Sequence, residues 1–145
     1  MQANIMKFDF KHIHIGSLIQ MKVKENNLDS TRICNFLRCS ENDIDLMYQT
    51  KSLDAELLLR WSKLLEYDLF RIYSQHLILF APSGKKQDEN STSMLPKFRK
   101  NIYTKDIIDF VLEQINKKEK TRLQIIEEYR IPKTTLHKWI EKYKV

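Results

Sequence analysis

Only two glycines, Gly16 and Gly84, occur in the 145 residues of this chain, against a usual share of about 7%. Glycine supplies the backbone conformations that other residues avoid. Folds built on tight glycine turns, phosphate-cradling glycine loops or collagen repeats are therefore excluded. The length also leaves no room for a large catalytic barrel or a doubly wound sheet. Helices remain as the building element, and an all-α fold is expected.

Hydrophobic residues make up 42% of the chain and charged residues 30%, which suits a soluble intracellular protein. The longest apolar run, Leu77 to Ala81, is five residues, far short of the ~18 needed to span a bilayer. The opening MQANIMKFDF mixes charge into its apolar stretch and offers no small-residue cleavage site, so no signal peptide is expected. Two cysteines, Cys34 and Cys39, have no further Cys/His pair at metal spacing. In a reducing cytoplasm they read as buried or half-buried thiols rather than as a disulfide, and neither a metal nor a cofactor is expected.

The net charge of +6 is unevenly placed. Residues 1–82 hold 10 Lys+Arg and 10 Asp+Glu, whereas residues 83–145 hold 15 and 9. Between the halves lies SGKKQDENSTSMLP, residues 83–96, polar and ending on Pro96, with Pro82 just before it. It carries too little apolar surface to offset the entropy of ordering, and reads as a flexible linker able to span roughly 20 Å. Two small domains follow from this division: residues 1–82 and residues 97–145.

In the first domain, Ile15, Leu18, Ile19, Met21 and Val23 give an apolar face to a helix that stops near Asn26-Asn27. A second helix starts around Ser30, with Ile33, Cys34, Phe36 and Leu37 inward. Ser40 caps a third, and Asp43 completes a capping-box pattern. Leu57, Leu58, Trp61, Leu64 and Leu65 define a fourth, and Asp68 is placed to cap a fifth. The run LILFA (77–81) fits either an interface or the end of this domain's own core. Upstream, Phe8, Phe10, Ile13 and Ile15 alternate with polar residues and predict a short strand pairing with residues 76–81. His12 and His14 would share one face of that strand, but no third ligand accompanies them, and no site is assigned.

The stretch LDSTRICNFLRCSENDIDLMYQTKSLDAELLLRWSKLLEYDLFRIY, residues 28–73, resembles the lambda-repressor/Cro-like helix-turn-helix domain. Cys34 stands where that family places a small residue, and Ile44 and Met47 where it places aliphatic ones. Arg38 stands at the turn in place of the usual glycine, so a positive φ on a non-glycine residue is expected there. The resemblance would direct Ser40, Glu41, Asn42, Asp45 and Leu46 toward DNA, with Asp43 alongside. Three carboxylates with no adjacent Lys or Arg oppose a phosphate-lined groove. These positions are read as weak DNA contacts or as a surface for dimerisation or a protein partner.

In the second domain, Thr104 is a natural N-cap for a helix carrying Ile107, Ile108, Phe110, Val111, Leu112 and Ile115. Another helix starts after Thr121, with Leu123, Ile125, Ile126 and Tyr129. Arg130-Ile131-Pro132 breaks it, and Pro132 suits the first turn of a third helix running to Tyr143. The stretch TRLQIIEEYRIPKTTLHKWIEKY, residues 121–143, resembles the helix-turn-helix of insertion-sequence transposases and is similar to the motif of pipsqueak-like proteins. Such trihelical domains bind DNA through the third helix. With Leu136 and Trp139 inward, helical spacing puts Lys133, Thr134, His137 and Lys138 on the outer face. Lys and His can donate to guanine, and Thr can meet a base edge or a thymine methyl. Thr135 and Arg122 lie near helix N-termini, where phosphate is favoured. Lys97, Arg99 and Lys100 form a basic arm suited to a minor groove.

Catalysis is not expected. Strand-transfer chemistry needs a metal-holding carboxylate triad on a large scaffold, and no nucleophile or phosphate-loop signature occurs. The leading expectation is a non-catalytic, sequence-specific double-stranded DNA-binding protein: a dimeric bacterial transcriptional regulator, or the recognition protein of a mobile element, associated with the nucleoid. The alternative is an interaction adaptor that uses helix-turn-helix folds as docking surfaces.

Overall fold

A computed structural model describes residues 8–81, 92–96 and 102–143. Among these residues there are eight α-helices and no strand. The chain separates into two compact units, one of Asp9–Ser74 and the other built from Gln75 onward together with Phe8. The division falls inside a helix, upstream of the boundary at residue 82 read from composition. Most of the 83–96 segment lies outside the described residues.

The first unit holds α1 (Ile15–Glu25), α2 (Ser30–Leu37), α3 (Glu41–Gln49), α4 (Ala55–Leu65) and the start of α5 (Phe70–Phe80). Ile15, Ile19 and Val23 recur at helical spacing and are buried along one face of α1. Gly16 allows that helix to sit directly on the end of α3. Its N–H donates to Thr50 O at 3.0 Å, and Ile15 N–H donates to Lys51 O at 3.0 Å. A Cβ at Gly16 would stand 2.3 Å from Met47 O and 2.5 Å from Tyr48 O. Two orphan donors at the start of α1 thus meet carbonyls at the end of α3.

Polar side chains punctuate the remaining helices as their spacing predicts. Asp29 accepts from Thr31 N, and Asp54 accepts from Leu57 N at 2.8 Å. Ser40 and Asp43 close a reciprocal capping box on α3. Asp68 accepts from Phe70 N at 3.1 Å and opens α5. Trp61 of α4 is fully buried, and its indole N–H reaches Met47 Sδ at 3.2 Å.

The expected N-terminal strand does not form. Asp9 Oδ1 accepts from the N–H groups of Lys11 and His12, folding those residues into a turn. His14 instead caps α1, its Nδ1 accepting from Ser17 N at 3.2 Å. Of the expected partner residues of the strand, 76–81, all but Ala81 are helical. The backbone donors that a strand would have paired across a ladder are used locally by Asp9 and by α5.

The second unit holds the end of α5 with α6 (Lys105–Asn116), α7 (Arg122–Tyr129) and α8 (Lys133–Tyr143). Ile78 and Leu79 of the LILFA run are core residues of this unit, while Leu77 is 56% exposed. Phe80 meets the Tyr129 ring edge-on at 6.4 Å. Gln75, buried on α5, accepts from Thr104 Oγ1 at 2.9 Å, and Thr104 caps α6. Ile107, Val111, Leu112, Ile125, Ile131, Leu136, Trp139 and Ile140 complete the core.

Candidate nucleic-acid interface

The basic helix α8 is positioned by the segment immediately before it. Thr121 and Gln124 form a capping box that starts α7. The helix stops at Arg130, which adopts the left-handed conformation with φ 51°. Ile131 then enters the core, and Pro132 offers its carbonyl to Leu136 N at 3.0 Å, so α8 begins at Lys133 rather than at the proline. Behind the helix, Leu136, Trp139 and Ile140 are buried, and Trp139 meets Tyr103 edge-on at 5.1 Å.

That packing determines what faces outward. Lys133, Thr134, His137 and Lys138 are all exposed, and Thr135 is half-buried in the first turn. Arg122 is exposed at the start of α7. The basic arm of Lys97, Arg99 and Lys100 lies outside the described residues. His137 Nε2 is 3.2 Å from Glu141 Oε1, one helical turn away. Sequence reasoning passed over that pair, although its i,i+4 spacing was the available signal. Lys142 is a second omission: it is exposed, one turn beyond Lys138, and its Nζ lies 5.4 Å from the Tyr143 ring centroid. Lys105 Nζ lies over the same ring at 4.4 Å.

A polar network holds the α6–α7 connection in place. The Tyr129 hydroxyl donates to buried Gln114 Oε1 at 3.1 Å and accepts from Lys120 Nζ at 3.3 Å. Lys120 also pairs with Glu128. Its hydrogen bond to Glu128 is the main reason that the Lys120 ammonium titrates above its ordinary value, with burial opposing it. Lys120 is therefore fixed in a structural role.

The corresponding surface in the first unit has the opposite sign. Glu41, Asn42, Asp43 and Asp45 are exposed on α3, and Ser40 occupies its N-cap. Leu46 is 61% exposed beside them. Two of the carboxylates are occupied locally: Glu41 accepts from Ser30 Oγ at 3.1 Å, and Asp43 accepts from Ser40 N at 2.9 Å. The backbone hydrogen bond holds the Asp43 carboxyl below its ordinary value.

Among the described residues, no group of three or more His, Cys, Asp or Glu side chains is arranged to hold a metal. No helix there is long and apolar enough to cross a membrane. A depression bordered by Asp29, Thr31, Arg32, Asn35 and Phe36 is open to solvent and presents no enclosed site for a small molecule. Comparison with family models, curated proteins and solved structures yields no match to the chain.

Proposed function

We propose that this chain is a non-catalytic, sequence-specific double-stranded DNA-binding protein, with α8 as its recognition helix. The observation that carries the reading is the face of α8, where Lys133, Thr134, His137 and Lys138 are exposed together over the buried anchor of Leu136, Trp139 and Ile140. An 11-residue helix is roughly 16 Å long. Its girth of about 10–12 Å suits a major groove about 12 Å wide. Lys133 and Lys138 are suited to guanine or phosphate, Thr134 to a base edge or a thymine methyl, and His137 to guanine N7. Thr135 and Arg122 sit where backbone N–H groups favour phosphate. The basic arm of Lys97, Arg99 and Lys100 would add minor-groove contacts.

In this reading the first unit mediates homodimerisation or partner contact. Pairing is useful because one small module buries limited surface and binds modestly. The resemblance of residues 121–143 to transposase helix-turn-helix segments favours a transcriptional regulator or the recognition component of a mobile element. Its place would be the bacterial cytoplasm, at the nucleoid. Selection from a random duplex pool by the full chain is expected to enrich one sequence, palindromic if the protein acts as a dimer. Recovery of an unenriched pool, or of single-stranded species only, would contradict the reading.

A second reading, as a protein-interaction adaptor, draws on the acidic face of α3 with Leu46 exposed in its midst. It predicts that the full chain fails to retain duplex DNA even at low ionic strength, where any phosphate-contacting protein binds most tightly.

A further inference from the structure

We propose that Cys34 and Cys39 form a dithiol site that takes a small-molecule disulfide as oxidant and closes to a reversible intramolecular disulfide across the end of α2. The inference is independent of DNA binding and rests on the backbone of that turn.

Arg38 adopts the left-handed conformation, φ 54° and ψ 55°, and reverses the chain after Leu37. As a result, Cys34 O accepts from both Arg38 N–H and Cys39 N–H, the latter at 3.2 Å. The second of these bonds is the six-to-one closure of a Schellman turn, which commonly brings the side chains of its two end residues together. With standard bond lengths, the 3.2 Å bond limits the two α-carbons to about 7.4 Å along a straight path, and the trigonal bends at the carbonyl carbon and amide nitrogen bring them within the ~7 Å outer reach of a disulfide.

The turn between α7 and α8 fills the same places differently. The same offsets from its left-handed Arg130 fall on Ile126 and Ile131, one half-buried and one buried. An apolar residue thus stands at each place in that turn. The α2–α3 turn carries a thiol at each position, and both thiols are half-buried rather than sealed, so a small reagent can reach them. Burial raises the Cys39 thiol above its ordinary value, Cys34 and Asp43 adding to the effect and the Arg60 guanidinium opposing it. Oxidation is therefore expected to accelerate as pH rises above neutrality, because the thiolate is the nucleophile.

The chemistry is two successive exchanges. One cysteine loses its proton to water, and its sulfur attacks a sulfur of the oxidant, breaking the oxidant's S–S bond and releasing one thiolate. The second cysteine, deprotonated in turn, attacks the mixed disulfide, forms the Cys34–Cys39 bond and releases the second thiolate. Two cysteine thiols are oxidised and the oxidant is reduced to two thiols, the two protons passing through solvent to the released thiolates.

The test exposes the full chain to oxidised glutathione, blocks remaining thiols and digests without reductant. Trypsin cuts after Arg32, Arg38 and Lys51, so the cysteines part into peptides 33–38 and 39–51. The expected product is these two peptides joined, from a monomeric chain that has lost two hydrogens and regains them with excess thiol. The ratio of joined to glutathione-bearing peptides is expected to fall by roughly tenfold in concentrated guanidinium, since the folded turn sets the effective concentration of the pair. Glutathione on the cysteines without joined peptides, joining between chains only, no reaction, or an equal ratio in the denatured chain would each overturn the proposal.

Discussion

The helix pairs α2–α3 and α7–α8 solve the same backbone problem in the same way. Each begins with an eight-residue helix. Each then turns through an arginine in the left-handed conformation, Arg38 with φ 54° and Arg130 with φ 51°. Each starts its second helix three residues later. Their outward faces differ in sign: α3 carries Glu41, Asp43 and Asp45 without a Lys or Arg, and α8 carries Lys133, Lys138 and Lys142 against Glu141 alone. A turn and a crossing of helices can be reused with either surface, so the backbone alone assigns no function. In the proposed DNA-binding role, the side chains exposed on the second helix make the difference.

Perturbing the anchors of the two pairs should give the largest effects. Trp61→Ala and Trp139→Ala remove the large aromatic that supports each pair, and each is expected to cost about 3–5 kcal/mol in denaturant unfolding. A Trp139→Ala loss below about 1 kcal/mol would mean that α8 is not held from behind as its burial implies. Gly16→Ala comes next, with an expected loss of about 1–3 kcal/mol or more, because the added methyl meets carbonyl oxygens of the α3 end rather than a yielding side chain. No counterpart glycine supports α8, so this sensitivity should be confined to the first unit. Arg38→Gly and Arg130→Gly should instead stabilise, each by about 0.5–1 kcal/mol, by relieving a left-handed conformation. Opposite signs for the two would break the equivalence of the turns. The smallest effect concerns acid. Asp43 titrates below its ordinary value of 3.8 in the folded chain, so its contribution is present above that value and lost as pH falls through the lower folded one. Asp43→Asn should flatten that part of the acid-unfolding profile, a change followed by circular dichroism.

Several parts of this architecture could be read from residue order because they rest on local chemistry. The Ser40–Asp43 box, the Thr104 cap and the outward face of α8 all follow from spacing within one or two turns. The misreadings arose where local pattern had more than one solution. Phe8, Phe10, Ile13 and Ile15 alternate as a strand would, yet Asp9 captures the N–H groups of Lys11 and His12 and makes a turn. A short apolar run such as LILFA suits a strand or a buried helix equally well. Burial of Gln75 and its bond to Thr104 place the end of α5 with the later helices, a tertiary fact invisible to composition. Leu123 also departs from its expected inward place and is 64% exposed, because α7 turns Ile125 and Tyr129 to the core.

If α8, rather than α3, is the helix that meets DNA, the two faces must respond oppositely to loss of charge. Affinity for the selected duplex, measured across a salt series with the full chain, separates them directly. Lys133→Ala with Lys138→Ala should weaken binding by roughly tenfold or more and reduce the salt slope by about one for each phosphate no longer neutralised. Glu41→Gln with Asp45→Asn should leave binding unchanged or tighten it slightly. Unaltered affinity in the lysine double variant, together with loss of binding in the α3 variant, would contradict the assignment.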